Sequence, residues 1–306
     1  MRTVYCDTLI RLAKNDSRIF VIEADMMKGS GTRPFMEAFP DRLINVGIAE
    51  ANMIGVAAGL SAAGKIPFAS TFACFASRRA YDQFFISANY AKLNVKLTGP
   101  EQGVTAATNG GTHMPFEDLG MMRLIPGLTI LEPSDPVSLE KLMELNASHY
   151  GCSYMRLHRK PTPDLYDAGE SFSLGKGKLL RDGKDVTIIA LGVIMVNEAL
   201  KAEKILKGQG IDAAVIDVLS LKPLDRDLVL QYAARTKKIV TAENHQVAGG
   251  LGSAVAELLS RERPTPIAMV GIQDEFGEVG SQEWLQERFK LTAAEIVLQA
   301  QRLMRG

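Results

Sequence analysis

The chain has 306 residues, 46% of them hydrophobic and 23% charged. This is enough for about two domains with cores of their own and excludes a fibre, a low-complexity array or a disordered tail. Lys+Arg and Asp+Glu each number 35, for a net charge of zero. That balance leaves no long-range field to gather nucleic acid or anionic lipid and favours association with other subunits.

In chain order, residues 3 to 14 place Val4, Thr8, Leu9 and Leu12 at helical spacing, and SRIFVIEADM follows as a buried strand ending in an acid. LINVGI is predicted as strand, EANMIGVAAGLSAAG as helix, IPFASTF as strand, RRAYDQFFISANYAK as helix and NVKLTG as strand. GLTILEP continues as strand, DPVSLEKLMELNAS as helix and CSYMRLH as strand. Alternation of helices with continuously apolar strands predicts an α/β fold with a mostly parallel sheet covered on both faces. The pattern fails in the Pro-, Gly- and charge-rich stretch that follows, so a connection is placed at 167–184, between a unit of residues 1–166 and a second of 185–306. DVTIIALG, a helix over 195–209, IDAAVIDVLSLKPL, a helix near residue 230, KKIVTAEN, the GGLGSAVAELLSR helix and PIAMVGI make the second α/β unit.

Cys6, Cys74 and Cys152 stand far apart with no metal-ligand spacing, which argues against a disulfide framework or a metal site and points to a reducing, cytoplasmic setting. The N-terminus mixes charges into its apolar positions, unlike a signal peptide, and no window reaches the roughly 18 apolar residues of a membrane span. Neither half contains GxGxxG after a strand, a Walker loop, HExxH or GxSxG, so nicotinamide, P-loop, zinc-protease and hydrolase-elbow chemistries lack their signatures.

Glu50 stands where a strand meets a helix of almost wholly apolar or small residues, so it is either a helix cap or a deliberately desolvated carboxylate. The same helix has Gly55 and Gly59 four apart, a surface that permits close approach by another helix or another subunit. TNGGTHMP exposes His113 on a constrained loop, where ligands bind in open α/β sheets. Phe72 and Phe75 are either ordinary core or a platform for a heteroaromatic ring. Arg156 and Arg159 flank His158 and are solvated charges or an anion clamp. Gly249, Gly250 and Gly252 at a helix start form either an anion site or a tight turn.

Taken together, NVGIAEANMIGVAAGLSAAGKIPFASTFACFASRRAYDQ, TNGGTHMPFEDLGMMRLIPGLTILEPSD and AENHQVAGGLGSAVAELL resemble the C-terminal half of transketolase and of deoxyxylulose-phosphate synthase. The resemblance implies a pyrimidine-binding domain followed by a transketolase C-terminal domain, with thiamine diphosphate as cofactor. The family's GDG motif and following Asn, which hold Mg²⁺ and the diphosphate, do not occur here. The chain therefore looks like the C-terminal subunit of a split transketolase. Its expected partner is an N-terminal subunit carrying the GDG motif and the Mg²⁺ ligands, in a heterotetramer with two copies of each chain.

By the same resemblance Glu50 matches the glutamate that shares a proton with the aminopyrimidine ring nitrogen, favouring the imino tautomer that deprotonates the thiazolium carbon. Phe75 matches the residue stacked on that ring, with Phe72 beside it and Tyr81 further along, and Asp25 and Met26 belong to the strand-end segment near the cofactor. His113 matches a substrate-site histidine assisting proton transfer, and Arg159 and Arg2 match arginines that hold the phosphate of the sugar. Two positions depart from the family: Asn109 replaces an aspartate that contacts a sugar hydroxyl, and near Glu101 a second histidine is missing. The implied reaction is transfer of a two-carbon ketol unit from a ketose phosphate to an aldose phosphate. Alternative readings are a deoxyxylulose-phosphate-synthase-like fragment, a 2-oxoacid dehydrogenase beta subunit, and a noncatalytic scaffold subunit.

Overall fold

Strands apolar on both faces are stable only between two layers of helix, and the computed structural model, which describes residues 1–305, uses them in this way. The strands are β1 (Ile19–Glu23), β2 (Leu43–Asn45), β3 (Ile66–Ser70), β4 (Lys96–Pro100), β5 (Thr129–Leu131), β6 (Ser153–Leu157), β7 (Lys178–Arg181), β8 (Val186–Ala190), β9 (Ala213–Asp217), β10 (Ser220–Lys222), β11 (Ile239–Gln246) and β12 (Ile267–Ile272). They form two sheets, a seven-stranded one ordered β10-β5-β6-β4-β3-β1-β2 and a five-stranded one ordered β12-β11-β8-β9-β7. Every pairing is parallel except β10 with β5 and β7 with β9, both at sheet edges. The fold class is as expected: two mostly parallel sheets, each covered by helices.

Local sequence explains the well-formed elements. Helix Pro136–Ser148 starts at Asp135, whose carboxylate accepts from the Ser138 amide at 2.7 Å while Ser138 Oγ accepts from the Asp135 amide at 3.1 Å. This reciprocal cap, with Pro at the first helical position, satisfies amides that would otherwise lack partners. The other Asp135 oxygen accepts from the amides of Leu165 and Tyr166, pinning the chain as it leaves β6.

Several elements differ from the sequence reading. IDAAVIDVLSLKPL is two strands, and the second, β10, crosses to the first sheet, where Ser220 opposes Leu131 and Lys222 opposes Ile130. The second unit thus completes the edge of the first. Residues 178–181, inside the stretch expected as a connection, form β7, with alternate residues half-buried and exposed as suits an edge strand. RRAYDQFFISANYAK is not one helix: Ala73–Arg78 is helical from before it, and a short turn at Tyr81–Gln83 leads into a π-helix at Phe84–Tyr90. Helices Asp118–Arg123, Gln282–Arg288 and Ala293–Arg305 carried no expectation. The last of these buries Ile296, Val297 and Ala300.

Candidate functional site

The C-terminal ends of β1, β3, β4 and β6 lie side by side, because these strands are neighbours in one parallel sheet, and ligands bind at that edge of such sheets. β1 runs out into Ala24-Asp25-Met26, β3 into Thr71-Phe72, β4 into Glu101 and β6 into His158-Arg159. The loop after β4 carries Glu101, Asn109 and His113, and its backbone enters the left-handed region at Glu101 (φ 63), Gly103 (φ 51), Ala107 (φ 47) and Gly110 (φ 80). Such conformations persist only where the surroundings impose them. Here Asn244 in β11 does so: its Oδ1 accepts from the Val104 amide at 3.0 Å and its Nδ2 donates to the Gln102 carbonyl at 3.1 Å. A Cβ at Gly103 would stand 2.2 Å from Asn244 Oδ1, so this bond requires glycine there.

Glu50 is buried at 5% exposure and is the first residue of helix Glu50–Ala62. It is not the helix cap: that position is Ala49, which makes no side-chain capping bond, and Glu50 Oε1 instead accepts from Arg79 Nη1 at 3.0 Å. The Arg79 guanidinium lies 4.0 Å from the centre of the Phe75 ring. A flat cation with N–H donors is therefore held between a buried carboxylate and an aromatic face. Phe72 and Phe75 are only partly buried, 6.0 Å apart, and His113 sits edge-on to both, at 5.9 and 5.2 Å. His113 Nδ1 pairs with Thr112 Oγ1 at 2.9 Å, and Nε2 has no partner among the described residues. The His113 turn is tied down by Arg78, which donates to the Thr112 carbonyl at 2.8 Å.

Arg159 stands 5.9 Å over the Phe72 ring and pairs with Glu101, whose other carboxylate oxygen accepts from Asn109 Nδ2 at 2.6 Å. Arg2 joins the same corner through its backbone amide, which reaches the Arg159 carbonyl, while its side chain donates to the Lys28 carbonyl at 3.2 Å. Arg2, Lys28 and Arg33 share a cleft of about 680 Å³ with Asp7, Asp25 and Cys6. Met26 packs over Gly29 beside Phe72, as a Cβ at Gly29 would meet both side chains.

The structure thus gathers Glu50, Phe72, Phe75, His113, Asn109 and Arg159, with Arg2, Asp25 and Met26 at their margin. Tyr81 is not brought in: its hydroxyl donates to the Met121 carbonyl at 3.1 Å and it packs on Phe85. Arg156 is no anion clamp but a wholly buried strut between Asp118 and Glu132. The three-glycine helix start is already filled, since Glu243 accepts from the amides of Leu251 and Gly252 at 2.6 and 2.8 Å. The sequence reading missed Arg79, although it is the second arginine after the aromatic pair, and missed Asn244, which acts on the loop from the other unit. Among the described residues no three or more His, Cys, Asp or Glu side chains are gathered as a metal ion requires. No helix among them is long and apolar enough to cross a membrane.

Under this site Glu23 is wholly buried, its Oε1 accepting from Ser30 and Thr32 at 2.6 Å each while Oε2 has no partner. Burial pushes its carboxyl up from 4.5 to about 7, against the pull of the two hydroxyls. The folded chain then holds a proton that the unfolded chain releases between about pH 4.5 and 7, so Glu23 makes stability fall as pH rises through that window. Glu23→Gln is expected to remove a total change on the order of 3 kcal/mol across that window. Urea unfolding at pH 5 and pH 7.5 checks this, and an equal change in both proteins would refute it.

One edge of the larger parallel sheet thus carries a buried carboxylate, an aromatic pair, a loop histidine and an arginine corner. Residues 1–164 match the transketolase pyrimidine-binding domain and residues 175–296 the transketolase C-terminal domain. The chain belongs to the transketolase family, whose members depend on thiamine diphosphate. It is 50% identical over 297 residues, 97% of this chain and 92% of the relative, to the 6-deoxy-6-sulfo-D-fructose transketolase subunit SqwH of Clostridium sp. (strain MSTE9). It is 36% identical to an apulose-4-phosphate transketolase subunit of Phocaeicola vulgatus (strain ATCC 8482), over 90% of this chain and 88% of that one. Among solved structures, a split-gene transketolase described as an inactive β4 tetramer matches with a TM-score of 0.91 at 43% identity, covering 99% of this chain and 97% of that one.

Proposed function

We propose that the chain is one subunit of a two-chain, thiamine-diphosphate-dependent transketolase that moves a two-carbon ketol unit between sugars with an anionic end. The observation that carries this reading is the Glu50–Arg79–Phe75 sandwich. A buried carboxylate and an aromatic face already hold a flat, cationic N–H donor, and an aminopyrimidine ring presents the same chemistry, so the residues present fit the cofactor's ring. The relatives that support the transfer reaction are named for a sulfonated ketose in one case and a sugar phosphate in the other.

Bound there, the cofactor would supply a nucleophilic carbon that cleaves the ketose beside its carbonyl and carries two carbons to the acceptor. Glu50 holds or gives a proton at the ring nitrogen, and its burial keeps competing water away. Phe75, with Phe72 next to it, stacks on the ring. His113 moves a proton at the substrate hydroxyl from Nε2, its Nδ1 being committed to Thr112. Arg159 and Arg2 hold the anionic end by charge-assisted hydrogen bonds. Asn109, an amide, both donates and accepts toward sugar hydroxyls where a carboxylate only accepts.

The diphosphate and Mg²⁺ ligands belong to a partner chain with the GDG motif, which this sequence lacks. Two copies of each chain are expected, meeting at the exposed Gly55/Gly59 face, where added side chains would meet nothing within 4 Å. Titration calorimetry tests the division of labour. Thiamine diphosphate with Mg²⁺ should bind the mixed chains and show no micromolar binding to this chain alone. Micromolar binding by the single chain contradicts the two-chain reading.

A further inference from the structure

Glu101 lies at the centre of the substrate corner, and the family resemblance gives it no role. It is 8% exposed, it sits on a left-handed backbone, and both its oxygens are committed within the corner, one to Arg159 and one to Asn109. Burial raises its carboxyl above the ordinary range, against the pull of Arg159 from the end of β6; the other titratable group that faces it is His113 from its own loop. The arginine assigned to the sugar's acid end is thus already shared with a carboxyl of the protein. Any anion brought to Arg159 must come within reach of that carboxyl as well.

We propose that Glu101 reads the charge of the sugar's anionic end: by sharing Arg159 it selects a singly charged tetrahedral oxyanion, of the sulfonate type, against a phosphate dianion. This rests on the reading that Arg159 holds the acid end of the substrate. At any fixed distance a dianion meets twice the repulsion from a carboxylate that a monoanion meets. A phosphate ester carries about −1.5 to −2 near pH 7, with its second ionisation near pH 6, whereas a sulfonate stays at −1. Geometry does not separate the two groups, since both are tetrahedral and offer three oxygens to the same arginine. Charge therefore does the sorting, and the neutral Asn109 beside Glu101 leaves the carboxyl undiluted by a second acid.

The test uses the assembled two-chain enzyme and a pair of ketoses that differ only in carrying a terminal sulfonate or phosphate. The wild type should show the higher kcat/KM for the sulfonate at pH 7.5. E101Q, which keeps the shape and an acceptor for Arg159 while its NH2 can donate to the Asn109 carbonyl oxygen once that amide turns over, should lose at least about tenfold of that preference. Below pH 6 the wild-type preference should narrow as the phosphate takes up its second proton, because only one of the two substrates titrates there. A wild-type preference for the phosphate, or an E101Q enzyme with an unchanged ratio, overturns the proposal.

Methanesulfonate and methyl phosphate titrated against the His113 ring signals give the same comparison by equilibrium binding. This arm reads out even if no ketose is turned over. Absence of transfer by the wild-type assembly would count against the transketolase reading alone. A sulfonate-to-phosphate affinity ratio that is the same in wild type and E101Q counts against Glu101.

Discussion

Replacing Glu50 by Gln is expected to slow proton exchange at the cofactor's reactive carbon by at least ~10²-fold in the assembled enzyme, the lower scale of acid–base catalysis, and to leave the fold intact. The amide keeps the shape of the carboxylate and its acceptor toward Arg79, but its N–H can only hydrogen-bond the ring nitrogen and cannot give up or take back a proton there. The competing role is structural. Glu50 opens a helix, and a negative charge there contributes typically 0.3–1 kcal/mol through the helix dipole. Hydrogen–deuterium exchange of the bound cofactor, followed by quenched NMR, separates the two roles. An unchanged exchange rate together with a small loss of stability would leave Glu50 with the helix-end role alone.

The largest loss of stability is expected from Arg156→Met. The guanidinium is fully buried and donates to Asp118 at 2.9 and 3.0 Å, to Glu132 at 2.9 Å and to the Asn244 carbonyl at 3.1 Å. Asp118 and Glu132 are themselves buried, so taking away their cation leaves two carboxylates uncompensated in the interior. Breaking a buried ion pair in this way costs about 3–5 kcal/mol. The network joins β6 of the first unit to β11 of the second, so the variant should also loosen the loop that Asn244 holds. Urea unfolding should show the drop, and adding Glu132→Gln should recover part of it, because one of the stranded charges is then gone. A loss below about 1 kcal/mol would mean that the carboxylates find other partners and that the strut is dispensable.

The architecture was legible because strands such as IPFAS and VTIIA are almost wholly apolar with no polar alternation, and every position of both is buried, as in a doubly covered parallel sheet. That Glu50, Phe75, His113 and Arg159 come near one sheet edge could be read from their places after β2, β3, β4 and β6, because the C-terminal ends of neighbouring parallel strands meet there. What escaped was set by distance along the chain. β10 is three residues long and is held in place by closing an edge of the other sheet, which no local period can signal. The glycines before helix Leu251–Glu262 suggested an open anion site, but the amides there are taken by the carboxyl of the protein's own Glu243, eight residues earlier than Leu251. Arg79 shows the same limit: its position in sequence says only that a cation follows the aromatic pair, and its role depends on Glu50, twenty-nine residues away. Tyr81 stands apart from the gathered residues because its hydroxyl is engaged by the Met121 carbonyl, a partner that its place in sequence does not signal.

The most direct test of the whole account is two-carbon transfer itself. This chain, the partner chain with the GDG motif, and the two together are each given thiamine diphosphate, Mg²⁺, an aldose acceptor and a ketose labelled with ¹³C at its first two carbons. The label should appear in a new ketose two carbons longer than the acceptor, only when both chains are present. Label transfer by either chain alone, or none by the mixture across sulfonated and phosphorylated ketoses, would contradict it.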